Sequence, residues 1–113
     1  MENRDLLKIA YDAIEEKKGE DIKVINISEI SSLADYFVIT DGSNTSQIQA
    51  IADEVQERLE KAGTVPKHIE GYRNASWILL DYGDIVVHVF SKEDRKFYDL
   101  ERIWADGRFL EKI

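Results

Sequence analysis

The residues of this chain with the plainest chemical potential are Asp41-Gly42-Ser43, at a junction where a strand pattern gives way to a helical one. Glycine lets the backbone approach a ligand closely, and the start of the helix offers N–H groups to a phosphate. Nucleotidyl transfer uses such a turn, together with two or three carboxylates converging on a metal from an adjacent strand, because phosphoryl transfer is mostly charge neutralisation and positioning. The nearby acids do not supply that set. Asp53 and Glu54 fall inside an amphipathic helix, and Asp81 and Asp84 flank a turn. A turn followed by a helix cap accounts for the motif without a ligand. His88 shares a strand face with Val86 and Phe90, where a histidine is either a base or, more commonly, a satisfied core residue. His68, between Lys67 and Glu70, reads as surface. No Ser/His/Asp arrangement is visible, and the absence of cysteine excludes thiolate chemistry, disulfides and Cys-ligated metal.

Composition narrows the remaining classes. With 113 residues, 43% of them hydrophobic, and a single proline, the chain reads as one folded domain, 1–113, with a real core. The 23 acidic against 15 basic residues oppose a phosphate-neutralising stripe, so direct nucleic-acid contact is expected to be minor. The same acidity suits a basic protein partner. The first residues, Met-Glu-Asn-Arg-Asp-Leu-Leu-Lys, place acids where a targeting peptide wants bases, and no apolar run approaches the roughly 18 residues of a membrane span. A cytoplasmic protein is expected.

The elements that must position these residues follow from periodicity. Leu6, Leu7, Ala10, Ala13 and Ile14 predict a helix over about 4–18, capped by Asn3 and stopped by Gly19. Strands are predicted over 21–28 and 34–40, with Asp41 to Asn44 breaking the pattern. A second helix carries Ile48, Ile51, Ala52, Val55, Leu59 and Ala62 on one stripe, with Asn44 and Gln47 as a capping-box-like pair. A strand near 68–72, a hairpin over 76–90 and a final helix over 92–104 complete the order α-β-β-α-β-β-β-α. That order predicts an α/β domain with a mixed, mostly five-stranded sheet flanked by helices.

The hairpin from Ser76 to Phe90 is apolar on both faces, so each face needs a cover. Val87 and Val89, with one parity of the preceding strand, predict the core side. Trp77 and Leu79, with Asp81 next along the same face and Tyr82 at the turn, have the makeup of a protein-binding hot spot. Composition alone leaves Trp77 open between that role and packing beneath the final helix.

Several long segments, in order, carry a family resemblance: Leu33-Ala34-Asp35-Tyr36-Phe37-Val38-Ile39, Asp41-Gly42-Ser43-Asn44 with Gln47 and Gln49, Glu70-Gly71-Tyr72, Trp77 through Phe90, and Phe97-Tyr98-Asp99-Leu100-Glu101 with Trp104 and Asp106. From about Asp5 to Gly107 the chain closely resembles the ribosomal silencing factor family, also called Iojap. The resemblance implies a nucleotidyltransferase-like core without its catalytic acids, and hence no enzyme, cofactor or metal. It implies a translational repressor that binds the large ribosomal subunit through the ribosomal protein numbered fourteen and sterically blocks joining of the small subunit. Organelle relatives are implied to take part in large-subunit assembly. By motif, the contact surface is expected at Trp77, Ile78, Leu79, Asp81, Tyr82 and Asp84, with Glu70 and Tyr98. Alternatives are a nucleotide-binding or nucleotidyl-transferring domain using the Gly42-Ser43 turn, and a homodimer whose second apolar face is covered by its own copy.

Overall fold

Two antiparallel groups of strands meet along one parallel seam in the computed structural model, which describes residues 2–111 and 113. The elements are α1 (Asn3–Glu16), β1 (Glu20–Asn26), β2 (Tyr36–Gly42), α2 (Thr45–Lys61), β3 (His68–Glu70), β4 (Trp77–Asp81), β5 (Ile85–Ser91), α3 (Lys92–Tyr98), α4 (Leu100–Ile103) and β6 (Arg108–Phe109). The sheet order is β3-β4-β5-β2-β1-β6. Among the described residues, only β2 and β5 pair in parallel.

Alternation along the strands divides the sheet into two apolar faces, each with its own cover. Val38, Ile78, Leu80, Val87 and Val89 point to one side, where the stripes of α1 (Leu7, Ala10, Ala13, Ile14) and α2 (Ile48, Ile51, Ala52, Val55, Leu59) pack on them. Ile25, Phe37, Ile39, Val86 and Phe90 point to the other, with Trp77 and Leu79 of β4 beside them and Leu100 and Trp104 packed over them. The hairpin's two-faced apolarity thus has a physical cause: β5 is central and buried on both sides.

Several expected boundaries move. Asn3 is the first helical residue of α1 rather than its cap; its amide donates to Asp35 Oδ2 at 3.1 Å, and Glu2 takes the cap position with no side-chain bond. β2 runs on through Asp41 and Gly42, which pair with Phe90 and Ser91 of β5; sheet pairing overrides the turn-like sequence. At the start of α2 the Asn44 side chain accepts from the Gln47 N–H at 2.8 Å. The Gln47 side chain returns to the N–H of Ser43, one residue earlier than a capping box requires. The single final helix is divided in two at Asp99, whose φ of 47° is left-handed. A sixth strand, β6, pairs with β1 through Ile25 and Asn26, so the sheet has six strands rather than mostly five.

Candidate docking face

Trp77, the first residue of β4, lies on the sheet face opposite α1 and α2. Its register partner on β5 is Phe90, while Leu79 lies between His88 on β5 and Glu70 on β3, and Asp81 lies between Val86 and His68. Cross-strand partners share a face, so Trp77, Leu79, His88, Phe90, Glu70 and Asp81 all look the same way. The indole stacks on Phe90 with centroids 4.9 Å apart, and Tyr98 of α3 lies 4.6 Å away on it. The Trp77 Nε1–H donates to His88 Nδ1 at 3.1 Å.

His88 is 3% exposed, and burial pushes its pKa down to about 3. It is therefore the neutral imidazole, with Nδ1 free to accept from Trp77 and the proton on Nε2. Nε2 has no hydrogen-bond partner among the described residues; the ring meets Phe37 edge-on at 4.6 Å. A neutral histidine at the floor of an aromatic cluster holds the indole in place and offers neither a base nor a ligand to solvent.

At the margin of this cluster, Tyr98 is 41% exposed and Phe97, edge-on to it at 5.0 Å, is 79% exposed. Glu70 and Asp84 are exposed, and Asp81 is half-buried with Oδ1 accepting the Gly83 N–H at 2.8 Å. The result is an aromatic and aliphatic centre, partly open to solvent, with carboxylates beside it.

Two of the expected contact residues lie elsewhere. Ile78 is completely buried, because alternation puts it on the α1/α2 side between its Trp77 and Leu79 neighbours; it belongs to the core and cannot touch a partner. Tyr82 also packs on that side, with its hydroxyl enclosed and unpartnered among the described residues and its pKa pushed up to about 12 by burial. The structure brings together Trp77, Leu79, Asp81, Glu70 and Tyr98, and leaves Asp84 at the adjoining turn. Sequence reasoning left Phe97 out of the contact set; α3 buries Arg95, and Phe97, two residues on and about 200° round the helix, faces outward. It also missed that His88 supports Trp77, which β5 parity could have signalled.

The Asp41-Gly42-Ser43 lead occupies a different place. Asp41 is 6% exposed, and its oxygens accept from Lys92 at 2.7 Å and from Arg95 at 2.9 Å. Beyond it lies a cleft of about 550 Å³ lined by Glu20, Asp21, Lys92, Arg95, Asp99 and Glu101, among others. Three N–H groups around the start of α2 are taken internally: Ser43 by the Gln47 side chain, Gln47 by the Asn44 side chain, and Ile48 by the Asn44 carbonyl. The turn that suggested phosphate binding is thus wired as a cap, and the acid before it as an ion pair. Asp53 accepts from the Tyr72 hydroxyl at 3.0 Å and Glu54 pairs with Arg58 at 2.7 Å. No cluster of three metal-ligating side chains occurs among the described residues. None of their helices is long and apolar enough to cross a membrane.

Known proteins share this fold. Residues 1–112 match the family described as "Ribosomal silencing factor during starvation". The chain is 42% identical to a ribosomal silencing factor of Halalkalibacterium halodurans, over 98% of this chain and 95% of the relative. It is 43% identical to that of Bacillus subtilis, over 95% and 91%. A crystal structure of a Chromobacterium violaceum protein superposes with a TM-score of 0.91 at 36% identity, covering 93% of this chain and 88% of the other. The matches span the sheet, both helical layers and the aromatic face, and the chain belongs to the ribosomal silencing factor family.

Proposed function

We propose that this chain represses translation by docking on the large ribosomal subunit through the ribosomal protein numbered fourteen, so that its bulk prevents the small subunit from joining. The family is one of ribosome-associated silencers. The observation that carries the finer reading is the half-open aromatic face: Trp77, Tyr98 and Phe97 offer apolar area, with Glu70, Asp81 and Asp84 placed to meet basic side chains. A buried aromatic anchor commonly contributes about 2 kcal/mol or more to association, and complementary charge speeds the encounter. Occupancy alone produces the effect, so the mechanism is steric and uses no reacting group.

The test is cosedimentation with free large subunits, followed by the yield of joined ribosomes when small subunits are added. The protein is expected to travel with large subunits and to lower that yield. The Glu70→Lys/Asp84→Lys double variant changes only exposed side chains, and should bind several-fold more weakly while unfolding at an unchanged urea concentration. Undiminished binding by the double variant would remove the carboxylates from the interface. A second copy covering Phe97 and Tyr98 would compete with the ribosome, which light scattering at rising protein concentration would reveal.

A further inference from the structure

The exposed aromatic residues of the docking face stand on α3, which α4 follows directly, and neither helix is long enough to be stable by itself. What fixes them is a buried guanidinium. Arg95 of α3 is 7% exposed; its Nη1–H donates to Asp41 at the end of β2, and its Nε and Nη2 donate to the two carboxylate oxygens of Glu101 in α4, at 3.1 and 3.2 Å. Nη1 also reaches the Glu20 carbonyl at 3.3 Å, where β1 begins. Lys92, one turn earlier, ties the same helix to Asp41 and Glu20.

A planar fork fixes direction as well as distance, which an ammonium cannot do. Because Asp41 and Glu101 belong to different elements, one guanidinium sets both the height of α3 above the sheet and the angle at Asp99 between α3 and α4. Tyr98 lies between those two constraints, three residues after Arg95 and three before Glu101. We infer that the Asp41–Arg95–Glu101 clamp is a positioning device for partner docking, holding Tyr98 against Trp77 and presenting Phe97 to the partner. The inference rests on the docking face proposed above. It assigns a role to the charged cleft that no chemistry there requires: it preorganises a binding surface at a distance, and preorganisation lowers the ordering cost of association.

Glu101→Gln is the variant of choice, since Arg95 keeps Asp41 and no buried charge is stranded. Trp104→Phe is made first, leaving Trp77 as the sole tryptophan reporter. Glu101→Gln in that background should shift Trp77 emission to the red as Tyr98 lifts away, with cooperative unfolding retained, and should weaken large-subunit binding by about tenfold. Tyr98→Ala should weaken binding comparably, and the double variant should be no weaker than Tyr98→Ala alone, because the clamp acts through Tyr98. Independent, multiplying losses overturn the inference while leaving the docking face in place. Unchanged Trp77 emission in Glu101→Gln also overturns it. Normal binding by Tyr98→Ala overturns both the inference and the assignment of Tyr98 to the docking face.

Discussion

Lowering the pH from 7 to 5.5 should destabilise this protein through one side chain. His88 is buried with its Nδ1 engaged by Trp77, and its pKa is held near 3, against about 6.5 in an unfolded chain. The folded state therefore resists a proton that the unfolded state accepts. The stabilisation from His88 is complete above pH 6.5 and declines progressively as pH falls towards 3. Between pH 7 and 5.5 the difference in proton binding amounts to about 1 kcal/mol, and each further unit down to pH 3 adds about 1.4 kcal/mol. Urea titrations followed by tryptophan emission should place the midpoint at pH 5.5 about 0.5 M lower than at pH 7, for a urea dependence of about 2 kcal/mol per molar. The chain's net charge of −8 shrinks over the same range, which reduces self-repulsion and works the other way. The His88→Leu variant is the control, since it keeps every other titrating group. The wild-type loss in excess of the variant's is the quantity that belongs to His88. Equal pH dependence in the two proteins would refute the argument, and would mean that the pocket admits water or opens enough to accept the proton.

Three further outcomes follow from the packing. Ile78→Ala should cost about 2–5 kcal/mol in urea unfolding, because it empties a fully buried site between β4 and the helices, and it should leave the affinity of the folded fraction for large subunits unchanged. Gly71→Ala should destabilise by more than about 1 kcal/mol and perturb Trp77 emission, since Gly71 has a φ of 77° and an added Cβ would collide with the Trp77 carbonyl. Asn44→Ala should lower stability by about 1 kcal/mol through the loss of its bond to the Gln47 N–H, with no change in Trp77 emission.

What the sequence made legible was what depends on near neighbours. The α2 stripe, the Asn44 cap and the two-sided apolarity of the hairpin are short-range patterns, and they reappear as α2, its cap and the buried β5. Strand parity also separated Val87 and Val89 from Trp77 and Leu79 correctly. Parity was not applied to Ile78, and so a core residue was carried into the contact set on a motif alone. The break at Asp99 was illegible because a left-handed aspartate has no marker like a glycine. β6 is two residues long and exists only because β1 offers an open edge, which no local window reveals. Arg95 was passed over for a related reason: its carboxylate and carbonyl partners come from β1, β2 and α4.

The parallel pairing of β2 with β5 bears on how the chain reaches this structure. Cut along that seam, the sheet falls into β3-β4-β5 on one side and β2-β1-β6 on the other. Apart from the two residues of β6, which reach β1 from the far end of the chain, the strands on each side pair with neighbours in sequence, whereas Tyr36 meets Ile85, and Gly42 meets Ser91, only after α2 and two strands have intervened. Closing that long loop costs entropy before any contact across it is gained, so the seam is where the folding barrier should lie. Val38 and Ile39, opposite Val87 and His88, are then the positions whose truncation slows folding more than it hastens unfolding. The histidine that steadies the docking tryptophan would also belong to the junction that sets the folding barrier.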